Sequence, residues 1–153
     1  MKIQIVAIGK SKNNAGYNQL IFDYIKQLTC EIQVIECEAP KSPKSSAIEV
    51  IKSEEKLLEK YLSSCNYIAL DKSGIQLKSE EIASSIKDMQ INRTEKIVFV
   101  IGGAYGLSQA IIKNAKMVIS FGKHTMAHML ARLVLVEQIY RAFSIINSHP
   151  YHK

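Results

Sequence analysis

Residues 97–101 read Ile-Val-Phe-Val-Ile, and this uninterrupted apolar run constrains the fold more than any other segment. A strand that is apolar at every position is buried on both faces, which is typical of parallel sheets. The run leads directly into Gly102, Gly103 and Gly106, and then into Ser108, a residue that favours a helix start. Glycines directly after such a strand let the backbone turn sharply and approach a ligand closely. We therefore expect a functional site at this end of the strand.

Predicted strands and helices alternate along the whole chain. Strands are predicted at residues 2–8, 31–37, 67–70, 97–101 and 117–121, with a loop at 40–43 and a turn at 71–74. Helices are predicted at 15–29, from Ser46 (capping box with Glu49) to about 62, from Ser79 to about 89, from Ser108 to about 115, and from Thr125 to about 146. With 153 residues, this pattern predicts one α/β domain over residues 1–153, an open parallel sheet flanked by helices on both faces.

Composition narrows the class of protein. Hydrophobic residues make up 47% of the chain and charged residues 22%, which is typical of a globular domain rather than a disordered chain. The first apolar run ends at Gly9 and Lys10, so we expect no secretory signal. The three cysteines show no CxxC spacing, which indicates reduced thiols in a cytoplasmic protein and no metal site.

The most apolar region of the chain is 129–146. It carries Arg132, Glu137 and Arg141, which would be costly in a bilayer, so we expect a buried helix and no membrane partner. Apolar residues fall on more than one face of this helix, and one domain of this size offers little surface to cover them. The sequence therefore predicts a homodimer built on this helix.

Charge favours a polyanionic partner. The chain has 20 Lys and Arg residues against 14 Asp and Glu residues, a net charge of +6, which helps a protein to meet a phosphate backbone. All four histidines fall in the last thirty residues, at positions 124, 128, 149 and 152. Groups capable of acid–base chemistry are thus crowded at the carboxyl end of the chain.

The glycine turn does not match the common nucleotide motifs. A dinucleotide fold needs its glycines after the first strand and an acidic residue about twenty positions on, whereas Lys123 and His124 stand there. A phosphate loop needs Gly-Lys-Ser/Thr, which is absent. The turn could also be a tight connection without a ligand. A second loop, residues 121–126, leaves the next strand at the same sheet edge, beside Leu70 and Asp71, so three strand ends could enclose one small molecule.

Five segments together resemble the RlmH family, a branch of the SPOUT methyltransferases that methylates N3 of a pseudouridine in large-subunit ribosomal RNA. The segments are Tyr67-Ile-Ala-Leu-Asp71, Val98-Phe-Val-Ile-Gly-Gly-Ala-Tyr-Gly-Leu107, Ser120-Phe-Gly-Lys-His-Thr-Met-Ala-His128, Glu137-Gln-Ile-Tyr-Arg-Ala142 and His149-Pro-Tyr-His-Lys153. The resemblance runs from Gly9 and Lys10 to the last residue. It implies a sheet whose carboxyl-terminal part forms a trefoil knot.

The resemblance also implies a cofactor and partners. S-adenosylmethionine would be the methyl donor and no metal would take part. The contacts of S-adenosylmethionine would fall on Leu70, Gly102, Phe121, Gly122, Lys123, His124, Thr125 and Met126. The substrate would be 23S rRNA in the assembled ribosome of the cytoplasm. The enzyme would be a homodimer in which the surface of the partner helps to complete the site. Neither DNA nor a membrane would be a partner. The alternative function is not catalytic. In it, the protein is a nucleotide- or RNA-binding module that holds a phosphate in the glycine turn.

Candidates for the chemistry are concentrated near the end of the chain. N3 of pseudouridine carries a proton, so the reaction needs a base, for which His152 is a candidate because imidazole titrates near pH 6.5. Tyr151 is a candidate for stacking on the target base, and Arg141 or Lys153 for neutralising a phosphate or the developing anion. His128 is either a further chemical group or a packing residue at the helix start.

Two sequence features bear on the roles assigned to Arg141 and to the cofactor loop. Arg141 lies four residues after Glu137, so a plain helical salt bridge explains the pair as well as catalysis does. Relatives usually carry proline before the histidine that opens the long helix, where this chain has Ala127. Because proline preorganises a first helical turn, we expect a less rigid loop and weaker cofactor binding here.

Overall fold

The computed structural model describes residues 1–38 and 45–151, and these residues form five strands and five helices in alternation. The loop predicted at 40–43 lies outside the described residues. The strands are β1 (Lys2–Ile8), β2 (Glu31–Cys37), β3 (Tyr67–Ile75), β4 (Lys96–Ile101) and β5 (Met117–Ile119). The helices are α1 (Ala15–Ile25), α2 (Ala47–Leu62), α3 (Ser79–Ile91), α4 (Gln109–Asn114) and α5 (His128–Ile146).

The five strands form one sheet in the order β2-β1-β4-β3-β5, and every pair of neighbours is parallel. The apolar run 97–101 is the inner part of β4, and each of its side chains is at most 4% exposed. The predicted parallel sheet is therefore confirmed. Apolar side chains of α1, α3 and α5 pack against one face of the sheet, and those of α2 and α4 pack against the other.

The long helix α5 is covered mainly within its own chain. It lies against α1 and α3 as well as the sheet, and Leu135, Val136 and Ile139 are at most 2% exposed. The expectation that one domain leaves little surface to cover this helix was therefore wrong, because two neighbouring helices flank it; Leu130 remains exposed. A homodimer stays a prediction. In the described part of the chain, no helix is long and apolar enough to cross a bilayer.

Two of the predicted helix caps are confirmed. Ser46 and Glu49 form a reciprocal capping box: the Glu49 N–H donates to Ser46 Oγ at 3.3 Å, and the Ser46 N–H donates to Glu49 Oε2 at 2.7 Å. At α4, Ser108 Oγ accepts from the Ile111 N–H at 3.2 Å. Both serines precede their helices with extended backbone angles, as capping residues do.

Two other predicted caps were wrong. At α3 the residue before the helix is Lys78, whose N–H donates to the Glu81 carboxylate at 2.6 Å; Ser79 is the first helical residue and its hydroxyl donates to Gln138 Oε1 at 2.8 Å. At α5 the helix starts at His128, after Ala127, rather than at Thr125. The strand before it ends two residues earlier than predicted, so residues 120–127 form a longer connection.

The segment predicted as a turn at 71–74 belongs to β3. The pairing of β3 with β5 shifts register between Leu70 and Ile75, so the strand bends here but continues. A Cβ added at Gly74 would lie 2.6 Å from the carbonyl carbon of Ile119, which means that the two strand backbones approach too closely for a side chain. Leu70 pairs with Ile101, the last residue of β4, so Asp71 follows beyond the end of that strand at the carboxyl edge of the sheet.

A cavity at the carboxyl edge of the sheet

A cavity of about 540 Å³ lies at the carboxyl ends of the central strands, a size that suits a small organic molecule. Three segments supply most of its lining: residues 70–72 of β3, residues 101–106 from the last residue of β4 onward, and residues 119–122 and 124–128 from the end of β5 to the start of α5. The predicted convergence of three strand ends is thus observed. Predicted cofactor residues that line the cavity are Leu70, Gly102, Phe121, Gly122, His124, Thr125 and Met126. Lys123 does not line it and is exposed.

The glycines after β4 form a tight turn, and two of them are constrained in different ways. A Cβ added at Gly102 would lie 2.7 Å from the carbonyl carbon of Gly106. Gly106 has φ +82°, which favours glycine, and its N–H donates to the carbonyl of Gly103 at 3.1 Å. At Gly102 and Gly106 the turn therefore presents backbone rather than side chains to the cavity.

The second loop is held by its own side chains. Ser120 Oγ accepts from the Gly122 N–H at 3.1 Å and donates to the Gly122 carbonyl at 2.8 Å. The His124 imidazole lies over Gly122, since a Cβ added at that glycine would be 2.7 Å from His124 Cε1. Gly122 also has φ +139°. The conformation therefore favours glycine at this position of the loop, and a side chain there would also have to displace the imidazole.

His128 opens α5 at the rim of the cavity and packs on the loop after β1. A Cβ added at Gly9, which has φ +100°, would lie 3.1 Å from His128 Nε2. One turn later, Arg132 is 2% exposed; it donates to the Gly9 carbonyl at 3.2 Å and forms an ion pair with Glu36 at the end of β2. The start of α5 is thereby tied to the loops that follow β1 and β2.

The electrostatics of Glu36 follow from this arrangement. Burial alone would raise the pKa of its carboxyl, but hydrogen bonds from Ser11 and Arg132 lower the pKa below its ordinary value. Glu36 is therefore held in its ionised form opposite the buried guanidinium. The pair joins the first turns of α5 to the end of β2.

Tyr151 lies at the other end of α5. Arg141 stands over its ring at 4.7 Å from the ring centroid, and the edge-on ring of Tyr140 is also 4.7 Å away. Its hydroxyl donates to Glu137 Oε1 at 3.1 Å and contacts the Tyr24 hydroxyl at 3.3 Å. Burial, the Tyr24 contact and the Glu137 contact all raise the pKa of Tyr151.

The predicted catalytic residues within the described ranges, His128, Arg141 and Tyr151, do not meet at one place in the chain. Arg141 is thirteen positions beyond His128 on α5, which is roughly 20 Å along a helix, so Arg141 and Tyr151 lie far from the cavity that His128 lines. Arg141 forms the predicted helical salt bridge with Glu137 at 2.6 Å. His152 and Lys153 lie outside the described residues.

Sequence reasoning missed Glu54, a carboxylate beneath the glycine turn that is only 6% exposed. One signal was available, because Glu54 shares an i, i+4 face with the buried Leu58 and Leu62. Elsewhere in the ranges that the structure covers, no group of three or more His, Cys, Asp or Glu side chains is arranged to hold a metal ion.

Comparison with known proteins agrees with this architecture. A family model described as "Predicted SPOUT methyltransferase" matches residues 1–152, so the chain belongs to the SPOUT methyltransferases. Two solved structures share the fold: a probable methylase family protein from Haemophilus influenzae (TM-score 0.57, 15% identity, covering 99% of this chain and 70% of that one) and a probable methyltransferase from Bordetella pertussis (TM-score 0.53, 15% identity, covering 92% and 95%).

Full-length relatives narrow the family. Proteins named ribosomal RNA large subunit methyltransferase H are 41% identical in Carboxydothermus hydrogenoformans, 39% in Halothermothrix orenii and 40% in Listeria monocytogenes, and each match covers 100% of both chains. Within the SPOUT methyltransferases, the chain belongs to the ribosomal RNA large subunit methyltransferase H family. The resemblance drawn from the five sequence segments is confirmed.

Proposed function

We propose that this protein transfers a methyl group from S-adenosylmethionine to N3 of a pseudouridine in the 23S rRNA of assembled ribosomes in the cytoplasm. The observation that carries the proposal is the cavity at the carboxyl edge of the sheet, formed by three strand ends in a chain of a methyltransferase family. Its relatives are named for methylation of large-subunit ribosomal RNA.

The lining of the cavity fits the proposed cofactor. The apolar side chains of Leu70, Ile101 and Ile119 suit a purine ring, and the backbone of the glycine turn offers peptide groups that can recognise its edge. The Asp71 carboxylate, also in the lining, is oriented by the Ser73 N–H and hydroxyl at 2.9 and 2.6 Å. It offers a charge complementary to a cationic donor. When bound, S-adenosylmethionine would supply a methyl group activated by a positively charged sulfur.

Residues of two protomers would supply the rest of the site. Among the predicted catalytic residues that the structure describes, His128 lines the cavity of its own chain, whereas Arg141, with Tyr151 beside it, lies roughly 20 Å further along α5. This separation supports a homodimer in which the carboxyl-terminal segment of one protomer faces the cavity of the other. His152 of that segment would accept the N3 proton, and Arg141 or Lys153 would stabilise the anion that forms.

We also propose that residues 119–127 belong to a trefoil knot, as family membership implies. Close packing around this segment supports the proposal: the Ser120 N–H donates to the carbonyl of Ile75 at 2.8 Å, and Gly74 touches the backbone of Ile119. Such a knot would hold the second loop of the cavity in place without the help of a ligand.

The substrate proposal relies on charge. The net charge of +6 favours a phosphate backbone, and the chain carries no tryptophan and only 7% aromatic residues with which to stack on unpaired bases. Recognition would therefore depend on the shape of rRNA already folded in the ribosome. Methylation of ribosomes but not of naked 23S transcript is the expected result, and equal rates on both would contradict it.

Calorimetry tests the cofactor directly and separates the two classes of function. We expect the protein to bind S-adenosylmethionine and not ATP, and Gly102→Val to abolish that binding because a side chain there collides with the backbone of Gly106. Binding of ATP alone would instead identify a phosphate-binding module. Gly16→Val, at a glycine with open space around its Cβ position, is the matched control.

A further inference from the structure

Glu54 is a buried carboxylate whose position the proposed chemistry does not explain. It lies on α2, on the sheet face opposite α5, and is only 6% exposed. Leu58 and Leu62 continue the same buried face of the helix. An apolar residue would fill this place without the desolvation cost of a carboxylate.

The carboxyl group of Glu54 lies directly against the glycine turn. The Gly103 N–H is near enough to the carboxyl to lower its pKa, and a Cβ added at Gly103 would lie 2.4 Å from Oε1 and 2.8 Å from Oε2. Gly103 does not have a positive φ, so its backbone conformation does not itself demand glycine. A side chain at this position would instead meet the carboxyl of Glu54, which would have to move.

The contact between the Glu54 carboxyl and Gly103 has an energetic cost for the folded state. Burial raises the pKa of the Glu54 carboxyl, against the lowering effect of the Gly103 N–H. Among the described residues, Oε2 has no hydrogen-bond partner, and a buried polar atom without a partner destabilises a fold. A group retained under these conditions is typical of a functional requirement rather than of packing.

We propose that Glu54 is a positioning residue that holds the peptide group of Gly103 and thereby fixes the backbone of the glycine turn in the shape that binds the cofactor. Glu54 acts from behind this wall of the cavity and does not itself contact the ligand. The inference rests on the proposed function only in naming S-adenosylmethionine as that ligand.

The first test compares substitutions at Glu54 with a control on the same helix. Glu54→Ala removes the acceptor and should raise the Kd for S-adenosylmethionine about tenfold, the loss expected for one hydrogen bond. Glu54→Gln keeps an oxygen that can accept from Gly103 and should recover most of the affinity. The exposed Glu59 gives the control Glu59→Gln, which should bind like the wild type. Wild-type affinity in Glu54→Ala would overturn the proposal.

A double-mutant cycle tests the contact itself. Gly103→Ala should weaken binding strongly in the wild type, because the new methyl group collides with the Glu54 carboxyl. In the Glu54→Ala background the collision is gone, so the same substitution should have little further effect. Equal losses from Gly103→Ala in both backgrounds would overturn the proposal.

Amide hydrogen exchange of the ligand-free protein separates this inference from the proposed function. Glu54→Ala should speed exchange at residues 102–107 at least tenfold, while Glu59→Gln should not. If the wild type fails to bind S-adenosylmethionine but the turn still loses protection in Glu54→Ala, only the proposed function is wrong. If the wild type binds and neither affinity nor protection changes in Glu54→Ala, Glu54 is not a positioning residue.

Discussion

Arg132 donates a hydrogen bond to the carbonyl oxygen of Gly9, 3.2 Å away and 123 positions earlier in the chain. The same guanidinium pairs with Glu36, so one buried side chain joins α5 to the loops after β1 and β2. Arg132→Ala should lower the free energy of unfolding by about 3 kcal/mol, because it leaves the Glu36 carboxylate without its cation. Urea denaturation measures this loss.

An exposed ion pair provides the control for that measurement. Lys2 and Glu31 are 2.7 Å apart, and their side chains are 35% and 67% exposed. Lys2→Ala should change stability by less than about 1 kcal/mol. If Arg132→Ala costs no more than Lys2→Ala, the buried pair does not fix the start of α5.

The same pair predicts how stability changes in acid. The pKa of Glu36 is lowered in the folded state, so its contribution to stability is complete above the ordinary pKa of 4.5. This contribution is lost as the pH falls through the lower, folded-state value. Glu36→Gln should therefore flatten the fall in stability below about pH 4.5, measured by urea unfolding across pH. Glu31→Gln, at an exposed position of the same strand, should leave the dependence of stability on pH as in the wild type.

The residue before α5 offers a gain-of-stability test. Ala127 has φ −58°, which lies within the range that proline requires. Ala127→Pro should stabilise the protein by about 0.5 kcal/mol by restricting the unfolded chain, and should tighten S-adenosylmethionine binding because Ala127 lines the cavity. Thermal unfolding and calorimetry measure the two effects. A loss of affinity would show that the loop needs freedom at this position.

The contacts of Tyr151 predict a selective loss of turnover. Tyr151→Phe keeps the ring against Arg141 and Tyr140 but removes the hydroxyl contacts with Glu137 and Tyr24. It should lower kcat about tenfold by loosening the carboxyl-terminal segment, with cofactor affinity unchanged. Single-turnover methylation and calorimetry separate these quantities. A rise in the Kd for the cofactor with full turnover would place Tyr151 in cofactor binding instead.

Local patterns in the sequence predicted much of the fold and of the cavity. Every position of 97–101 is apolar, so β4 could be placed at the centre of a parallel sheet, and the three glycines after it required a turn. The capping box of Ser46 and Glu49 depends on neighbours three residues apart. Such short-range relationships are readable without a structure.

Contacts between distant segments could not be read in this way. Thr125 has the right chemistry for a cap, yet it lines the cavity and the helix starts later. The register shift in β3 brings Gly74 against the backbone of Ile119, a contact between segments that meet only in the folded sheet. The position of Tyr151 against Arg141, far from the cavity, likewise depends on how the end of the chain folds back.

Mass mapping of 23S rRNA tests the central claim most directly. Ribosomes from cells that lack the gene would be incubated with the purified protein and S-adenosylmethionine, and the modified nucleosides would then be located. We predict one added methyl group, on N3 of a pseudouridine, and none when Gly102→Val replaces the wild type. No added methyl group, or a methyl group on a different kind of nucleoside, would contradict the account.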